Sequence, residues 1–365
     1  MEAVVTRPGA GKAWLAELPE PSIDAPDDVL VQTLRVGVCG TDRHVMEHAI
    51  GGDRSLPPGD DFLVIGHEAV GRVVSVGDGV TLLQPGDVVV PTVRRGCGEC
   101  PACDSGSVDV CFTGRYRERG IVGLHGFLSQ RIVEREANLI RVPEAMAGLG
   151  PLVESLTTPE KALRRIGNAR GHLPVDGPIN GVRRALVTGS GPIALLAMLA
   201  LRLRNIPTWL VARQPAGGQA ADLARRAGAT YVSLGEVDLE APAARLGTFD
   251  AIIEATGAAE LSVSMLGALG HNGVLDLVGG VAERKTVPIQ AVTLGSMVGR
   301  NLTLLGSVNA NPDDWRAAAR DLSDMRRLYP GVLEAMITHE FAMGDVDVAF
   351  QRVPGQIKAV VNLSA

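Results

Sequence analysis

The chain has 365 residues, of which 46% are hydrophobic and 21% charged, and its formal net charge at pH 7 is −6. This length and composition are typical of a globular protein of two domains, and the acidic balance disfavours electrostatic binding to nucleic acid. The richest apolar stretch, 193–204, is too short for a membrane span and ends in arginines, so we expect no membrane partner.

Short runs rich in β-branched residues alternate with Gly, Pro and Asp turns over the first third of the chain. Examples lie at 29–38, 69–77 and 87–93. This alternation predicts a strand-rich domain with long loops.

A thiol and a His-Glu pair stand out within this first third. Cys39 directly follows the apolar run 29–38, and His67 and Glu68 are adjacent further along. A thiolate, an imidazole and a carboxylate, with one position open, suit a catalytic zinc. The residues alone leave the alternatives open, because Cys39 is also explained as an inert core cysteine and His67 as a core histidine with satisfied hydrogen bonds.

The other four cysteines lie close together with the spacing Cys-x2-Cys-x2-Cys-x7-Cys. Four soft thiolates among glycines suit a closed tetrahedral zinc site. Two disulfides would require a secreted protein, whereas the N-terminal segment has no apolar signal sequence, and ferredoxin-type iron–sulfur runs are spaced differently. We therefore predict a cytoplasmic protein with a structural zinc lobe over 95–112. The predicted ligands of this zinc are Cys97, Cys100, Cys103 and Cys111.

The pattern changes after about residue 150. The stretch 151–167 has helical spacing, and Pro159 and Glu160 favour a helix start near them. Strands and helices then alternate from 184 to about 308, which predicts an α/β fold with a doubly wound parallel sheet. A further helix over 311–328 and terminal strand-like segments follow, and we expect this last part to pack on the first domain.

A Gly-x-Gly-x-x-Ala turn follows the first predicted strand of this region and opens its first helix. Glycines allow backbone amides to approach a pyrophosphate, and a helix N-terminus favours its negative charge. In this context the turn predicts a dinucleotide site, although a tight turn in another α/β fold would look similar. The cofactor-binding residues of the turn are Gly189, Gly191, Pro192, Ile193 and Ala194.

The end of the second strand should carry the residue that selects between NAD and NADP. No carboxylate stands there to bind a ribose 2′-hydroxyl, whereas Arg213 is suited to a 2′-phosphate. The alternative is that Arg213 is a solvated surface arginine. We predict NADP as the preferred cofactor, with NAD also possible.

These motifs, in this order, resemble the zinc-dependent medium-chain dehydrogenases over nearly the whole chain. The resemblance implies a β-rich GroES-like catalytic domain over 1–183 and 309–365, and a Rossmann domain over 184–308. It also implies two zinc ions per chain, the catalytic one near Cys39, His67 and Glu68. Members of the family are commonly homodimers or homotetramers.

The segments PLVES, RRGCGEC and TGRYRERGI resemble the archaeal-type glucose dehydrogenases. Ordinary alcohol dehydrogenases of the family use a second cysteine as the last ligand of the catalytic zinc, and here Glu154 takes its place. The branch implies that Glu154 binds zinc and substrate, that Glu118 contacts the sugar, and that Asn309 contacts nicotinamide or sugar. As alternatives, Glu118 pairs with Arg117 or Arg119, and Asn309 is a turn residue.

The implied reaction is oxidation of an aldose such as glucose to its lactone, with hydride transfer to NAD(P). The same resemblance implies that Thr41 binds the substrate hydroxyl and passes its proton to His44. The alternative is that His44 is a plain surface histidine. Val93, Thr158 and Gln214 depart from the branch at sugar and phosphate positions. A polyol, a cyclitol or a biosynthetic sugar alcohol is therefore an alternative substrate, and a nucleotide-binding protein without redox turnover is the alternative from another class.

Overall fold

The computed structural model describes residues 1–280 and 286–363, except for the side chain of Asp53. The strands, in chain order, are β1 (Glu2–Thr6), β2 (Ala13–Glu17), β3 (Asp28–Val38), β4 (Leu63–Val64), β5 (Glu68–Val76), β6 (Val88–Pro91), β7 (Arg94–Arg95), β8 (Arg117–Arg119), β9 (Gly123–Leu124), β10 (Arg131–Arg135), β11 (Leu139–Val142), β12 (Ala185–Thr188), β13 (Thr208–Ala212), β14 (Thr230–Ser233), β15 (Phe249–Glu254), β16 (Leu269–Leu277), β17 (Thr303–Gly306), β18 (Ile337–Ala342) and β19 (Lys358–Asn362).

The α-helices are α1 (Gly40–Met46), α2 (Pro101–Asp104), α3 (Pro151–Arg170), α4 (Pro178–Gly181), α5 (Pro192–Leu203), α6 (Gln219–Arg226), α7 (Pro242–Leu246), α8 (Ala259–Met265), α9 (Ala291–Gly299), α10 (Pro312–Leu328), α11 (Val332–Met336) and α12 (Val346–Ala349). Short 3-10 helices cover Gly52–Ser55, Val108–Val110, Glu136–Asn138, Glu144–Met146, Leu234–Glu236, Leu266–Ala268 and Met343–Asp345. Among the described helices none is both long enough and apolar enough to cross a bilayer.

The chain forms two compact units. The first comprises Met1–Ser155, Ala310–Ser323 and Met336–Ala365, and the second comprises Leu156–Asn309 and Asp324–Ala335.

The first unit is built on antiparallel sheets. Its largest sheet has the order β11-β6-β5-β3-β19-β18, with β10 also paired to β3. The terminal strand β19 pairs antiparallel with β3, so this part of the chain lies in the first unit. The stretch Asp324–Ala335, which was expected there as well, belongs to the second unit. Smaller sheets have the orders β2-β1-β4 and β7-β8-β9.

The second unit contains a parallel sheet of order β14-β13-β12-β15-β16-β17. The central strand β12 is buried at all four positions, as expected for a parallel strand covered on both faces. Its neighbours β13 and β15 lie on opposite sides of it, so the order of strands reverses there. This is the doubly wound arrangement that the alternating pattern predicted, and in such sheets ligands bind beyond the carboxyl ends of the strands.

Helix α3 differs from its prediction. It begins at Pro151 and contains Pro159 as an interior residue, whereas the sequence favoured a start near Pro159 and Glu160. Proline is common at the first position of a helix, so either Pro151 or Pro159 could have marked the start. In the structure Pro151 occupies the first position and Pro159 lies inside the helix. The longer helix places Glu154 in its first turn.

The division into units also differs from the predicted domain boundaries in the stretches 156–183 and 324–335, both of which belong to the second unit. Arg165 and Arg170, in the second half of α3, donate hydrogen bonds to Gly306 and Asn272 of the second unit. Such contacts group the stretch 156–183 with the parallel sheet. The boundaries of the functional domains, 1–183 with 309–365 and 184–308, stay a prediction.

Candidate metal centre and nucleotide site

Cys39 is placed by the junction between β3 and α1. The strand ends one residue before it, the helix begins one residue after it, and its own backbone is extended at φ −114° and ψ 162°. The carboxylate of Asp42 accepts a hydrogen bond of 2.8 Å from the amide of Cys39. This bond occupies an amide at the helix N-terminus that would otherwise lack a partner, and it fixes the turn that carries the thiol.

His67 and Glu68 are buried at the start of β5, where Glu68 pairs with Gly37 of β3. A Cβ atom at Gly37 would lie only 2.1 Å from Oε2 of Glu68, so glycine at this position leaves room for the carboxylate. The ligand atoms of Cys39, His67 and Glu68 lie within 4.8 Å of one another. The structure therefore brings together the three residues that the sequence suggested for catalytic zinc.

Asp42 also faces the imidazole of His67, at 3.2 Å between Oδ1 and Nδ1. Both atoms are buried, and neither makes a well-aligned hydrogen bond within the described part of the chain. Burial by itself lowers the pKa of His67, but the nearby charges of Asp42 and Cys39 outweigh it and raise the pKa well above its usual value. A carboxylate beside one ring nitrogen leaves the other for a metal, as is common for zinc-binding histidines.

This donor set fits a zinc ion. It combines a thiol sulfur, an imidazole nitrogen and a carboxylate oxygen, which are the three atom types that bind zinc in proteins. The buried imidazole of His67 lies beside the carboxylate of Asp42 but is poorly aligned with it. A zinc ion on the other ring nitrogen would compensate the negative charge of this carboxylate.

Glu68 has two partners that were not predicted from the sequence. The ammonium of Lys358, on β19, lies 2.7 Å from Oε1 and 2.5 Å from Oε2, and the hydroxyl of Ser155 donates to Oε1 at 3.0 Å. The negative charge of Glu68 raises the pKa of Lys358 against the opposing effect of burial. A lysine within the apolar strand Lys358–Asn362 was the available signal, because charged side chains are seldom buried without a partner.

Glu154 lies half-buried in the first turn of α3, outside the group of three close ligand atoms. Burial and the nearby charge of Glu68 raise the pKa of Glu154 to about 7, while His67 and Lys358 act in the opposite direction. The carboxylate of Glu154 is therefore near enough to interact electrostatically with His67 and Glu68. Its role as a ligand stays a prediction.

Thr41 and His44 occupy α1, directly after Cys39. The thiol of Cys39 lies 3.7 Å from the Thr41 hydroxyl, at the limit of a sulfur hydrogen bond. His44 is half-buried, and its ring makes no hydrogen bond to any other residue for which coordinates are described. The proton relay between Thr41 and His44 stays a prediction.

The four clustered cysteines form the second group of close ligand atoms, again within 4.8 Å of one another. The sulfurs of Cys97 and Cys103 are 3.8 Å apart, much longer than a disulfide bond. A Cβ at Gly96 would lie 2.6 Å from the Cys103 sulfur, so this glycine lets the backbone wrap closely around the sulfurs. Cys111 makes a hydrogen bond with Thr113, and this bond lowers the pKa of the Cys111 thiol to about 6, which favours a thiolate. The lobe fits a structural zinc ion.

The nucleotide turn connects β12 to α5 in the second unit. Gly189 has φ +118°, and a Cβ there would lie 3.2 Å from that of Ala194, so turn and helix approach closely. Gly191 precedes the first residue of α5, and a Cβ added to it would meet no described atom within 4 Å. Open space beside the N-terminus of a twelve-residue helix suits a phosphate group.

Arg213 directly follows β13, where a ribose selector is expected. Its side chain is exposed, and its guanidinium makes no hydrogen bond or ion pair within 1–280 and 286–363. Gln214, by contrast, accepts a hydrogen bond from Ala220 through its side chain and one from Tyr231 through its carbonyl. Arg213 is thus available to a phosphate, whereas Gln214 has a structural role.

A buried carboxylate that the sequence did not indicate fixes the turn after β15. Glu254 accepts hydrogen bonds from the hydroxyls of Thr188 and Ser262, at 3.1 Å and 3.2 Å, and from the amides of Thr256 and Gly257, at 2.7 Å and 3.2 Å. These donors offset the cost of burying its charge. The turn lies at the carboxyl edge of the sheet, beside the nucleotide turn.

Glu118 and Asn309 lie outside both groups of close ligand atoms. Glu118 is buried on β8, and its Oε1 accepts from the guanidinium of Arg94 at 2.9 Å. The sequence suggested Arg117 or Arg119 as the partner of Glu118, whereas the contact seen is with Arg94, and Arg119 pairs with Glu134. Asn309 follows β17 with φ +60°, a turn conformation. The predicted contacts of both residues with substrate or nicotinamide stay predictions.

Comparison with known proteins gives consistent matches over the whole chain. The family model for the alcohol dehydrogenase GroES-like domain matches residues 25–144, and the model for the glucose dehydrogenase C-terminus matches residues 147–363. Glucose 1-dehydrogenase of Metallosphaera sedula is 36% identical over 92% of each chain. Glucose 1-dehydrogenase of Methanocella arvoryzae is 34% identical over 93% of this chain and 92% of that protein.

Solved structures give the same grouping. Haloferax mediterranei glucose dehydrogenase, in complex with NADP, Zn and gluconolactone, superposes with a TM-score of 0.89 at 32% identity over 100% of both chains. Galactitol-1-phosphate dehydrogenase from Escherichia coli superposes with a TM-score of 0.79 at 22% identity, over 99% of this chain and 100% of that one. The second match shows a shared fold alone.

Proposed function

The chain belongs to the glucose dehydrogenase branch of the zinc-dependent medium-chain dehydrogenases, and we propose that it oxidises D-glucose to gluconolactone with NADP as hydride acceptor. The observation that carries the proposal is the convergence of Cys39, His67 and Glu68 in a chain that matches an NADP, Zn and gluconolactone complex along its full length. In the balanced reaction, the C1 hydrogen leaves with its electron pair for C4 of the nicotinamide. The proton of the C1 hydroxyl is released to water.

Cys39 and His67 hold the catalytic zinc in this proposal, and Glu68 and Glu154 supply carboxylates. The zinc ion, when bound, supplies a Lewis acid that lowers the pKa of the sugar hydroxyl. Asp42 orients the ring of His67 through the 3.2 Å contact with Nδ1. The cysteine lobe holds the structural zinc.

A proton path starts at the substrate hydroxyl. Thr41 accepts its proton and passes it to His44, whose imidazole exchanges it with solvent. Support for this path comes from the position of Thr41 beside the Cys39 thiol and from the half-buried position of His44 on the same helix.

NADP binds the second unit in this proposal. The amides of the Gly189–Ala194 turn receive the pyrophosphate, and Arg213 receives the 2′-phosphate. The exposed guanidinium of Arg213 and the absence of a carboxylate at this strand end support NADP over NAD as the preferred cofactor. NAD remains a second, weaker substrate because it lacks only the phosphate.

Glu118 and Asn309 are the proposed contacts to the sugar, and Asn309 also contacts nicotinamide. Arg94 competes with a ligand for Glu118, because its guanidinium donates a hydrogen bond to Oε1 of Glu118. The Cζ atom of Arg94 also lies 3.8 Å from the centre of the Tyr116 ring. Val93 and Thr158 also depart from the glucose dehydrogenase branch at sugar positions, so a polyol or cyclitol is the second candidate substrate for the same chemistry.

A homodimer or homotetramer is the proposed assembly. The edge strand β17 and helix α9 of the second unit expose apolar side chains, which is typical of surfaces that another chain covers. The exposed residues are Val292, Leu294, Val298 and Leu304. The zinc-binding thiols also suit a reducing compartment, so we propose that the protein is cytoplasmic.

A substrate screen tests the proposed function. The zinc-loaded protein is incubated with aldoses, polyols and cyclitols, with NADP or NAD, and NAD(P)H formation is followed by absorbance. We expect the highest kcat/KM with D-glucose and NADP. Turnover of a polyol or cyclitol with no turnover of any aldose would establish the second candidate instead.

A further inference from the structure

Two cations on α3 hold the backbone of the segment 306–309, which follows β17. The ammonium of Lys161 donates to the carbonyl of Val308 at 2.9 Å. The guanidinium of Arg165, four residues later, donates to the carbonyl of Gly306. Residues four apart lie on the same face of a helix, so both cations reach the segment from one surface of α3.

A third residue anchors the same segment to the sheet. The hydroxyl of Ser307 accepts a hydrogen bond of 3.0 Å from Arg165 and donates one of 2.8 Å to the buried carboxylate of Asp276 on β16. The amide of Ser307 donates to the carbonyl of Leu277 at 2.9 Å. The segment is therefore fixed on one side by α3 and on the other by the neighbouring strand.

The interaction of Lys161 is costly to maintain. Lys161 is 3% exposed, and a buried ammonium is tolerated only where strong hydrogen-bond acceptors compensate its lost hydration. A neutral residue would satisfy a simple packing requirement here at lower cost. The carbonyl of Val308 is one such hydrogen-bond acceptor, and the negative charge of Asp276 interacts with both Lys161 and Arg165.

The segment 306–309 carries an exposed apolar side chain and an asparagine with a positive φ. The side chain of Val308 is 68% exposed, and Asn309 adopts φ +60°, which is uncommon for a residue other than glycine. Both follow the carboxyl end of a parallel strand, the edge at which doubly wound sheets bind nucleotides. An exposed apolar side chain followed by the carboxamide of Asn309 suits a flat ring that carries a carboxamide.

We propose that Lys161 and Arg165 are positioning residues for the nicotinamide half of the dinucleotide. They act through the backbone of 306–309, which they hold in the conformation that presents Val308 and Asn309. This inference rests on the proposed function, because it takes the ligand at this edge to be NADP(H). Under this inference, two residues outside the phosphate turn contribute to how tightly the nicotinamide half binds.

A pair of ligands tests this inference. NADPH contains the nicotinamide half, whereas adenosine 2′,5′-bisphosphate contains the 2′-phosphate and lacks nicotinamide. Calorimetric titration of Lys161→Met and Arg165→Met should show NADPH binding weakened about tenfold, as expected for loss of a charged hydrogen-bond donor, with the bisphosphate affinity within about twofold of wild type. Arg164→Met is the matched control, because it removes an exposed cation from the same helix and should change neither affinity.

Equal weakening of both ligands, or unchanged NADPH binding in both folded variants, would overturn the inference. Circular dichroism establishes folding, and Arg165→Met carries the test alone if the variant of the buried lysine does not fold. A wild-type protein that binds neither ligand would instead refute the proposed function, so the two failures are distinguishable.

Discussion

The ammonium of Lys358 lies 2.5 Å and 2.7 Å from the two carboxylate oxygens of Glu68, and both side chains are only 1% exposed. Glu68 also belongs to the group of close metal-ligand atoms with Cys39 and His67. The same carboxylate is therefore positioned to face a lysine and a metal ion. Its charge is compensated whether or not zinc is bound.

Removing Lys358 should destabilise the zinc-free protein. Lys358→Met leaves the Glu68 carboxylate buried without its cation, and breaking a buried pair in this way costs about 3–5 kcal/mol in free energy of unfolding. Urea unfolding of the zinc-free protein measures this loss. The double variant Lys358→Met/Glu68→Gln should recover most of it, because no buried charge then remains. A double variant as unstable as Lys358→Met would show that the two side chains do not compensate each other.

Cys39→Ala should separate the two zinc sites. Metal analysis should show zinc falling from about two ions to about one per chain, because the cysteine lobe keeps its four thiolates. Glucose oxidation should be lost while NADPH still binds, since the nucleotide turn lies in the other unit. Cys39→Ser is the closer control, which retains a weaker oxygen ligand and the side-chain size. Full zinc content with full activity in Cys39→Ala would contradict the assignment.

Arg213→Ala should change cofactor preference. Loss of its contact to the 2′-phosphate should raise KM for NADP by about tenfold or more, and KM for NAD should stay within about twofold. Steady-state kinetics with both cofactors measures the change. Arg183→Ala, at another exposed arginine of the second unit, controls for the general loss of positive charge. A parallel rise in both KM values would argue against a phosphate contact.

Asp276 should make stability depend on pH. Burial raises the pKa of Asp276 to about 6, despite the opposing effect of the Ser307 hydrogen bond, so the folded protein holds the proton more tightly than the unfolded chain. Stabilisation by this proton is fully present below the unfolded pKa and is lost as pH rises through about 6. The side chain of Asp276→Asn cannot titrate, so the variant should not lose this contribution. The free energy of unfolding of the variant minus that of wild type should therefore rise by about 1.4 kcal/mol from about pH 5 to about pH 8.

Urea titrations of both proteins across this range measure the difference. A constant gap between wild type and Asp276→Asn would show that the carboxylate does not titrate there. Asp250→Asn, at a partly exposed position of β15, serves as the matched control for an aspartate in the same sheet.

Sequence reasoning predicted the parts of the site that depend on local pattern. The thiol after the apolar run ending at Val38, the His67-Glu68 pair and the four clustered cysteines each carry recognisable chemistry within a few residues. It missed Lys358 because this lysine lies 290 positions from Glu68 and meets it only through the pairing of β19 with β3.

The same limit explains the misplaced start of α3. Pro159 is a good first-turn residue by local rules, but the structure retains it inside a longer helix. The partner of Glu118 was likewise missed, because Arg94 reaches it across the β7–β8 pairing rather than from an adjacent position. Local propensity identifies elements and motifs, whereas long-range pairing decides their ends and their partners.

Transfer of a labelled hydride tests the central proposal most directly. The zinc-loaded protein is incubated with NADP and D-glucose that carries deuterium at C1, and the NADPH formed is examined by mass spectrometry and NMR. We expect NADPH deuterated at C4 together with gluconolactone, and loss of both products when zinc is removed by a chelator. No NADPH from glucose, or NADPH without deuterium, in protein that binds both zinc and NADP would contradict the proposal.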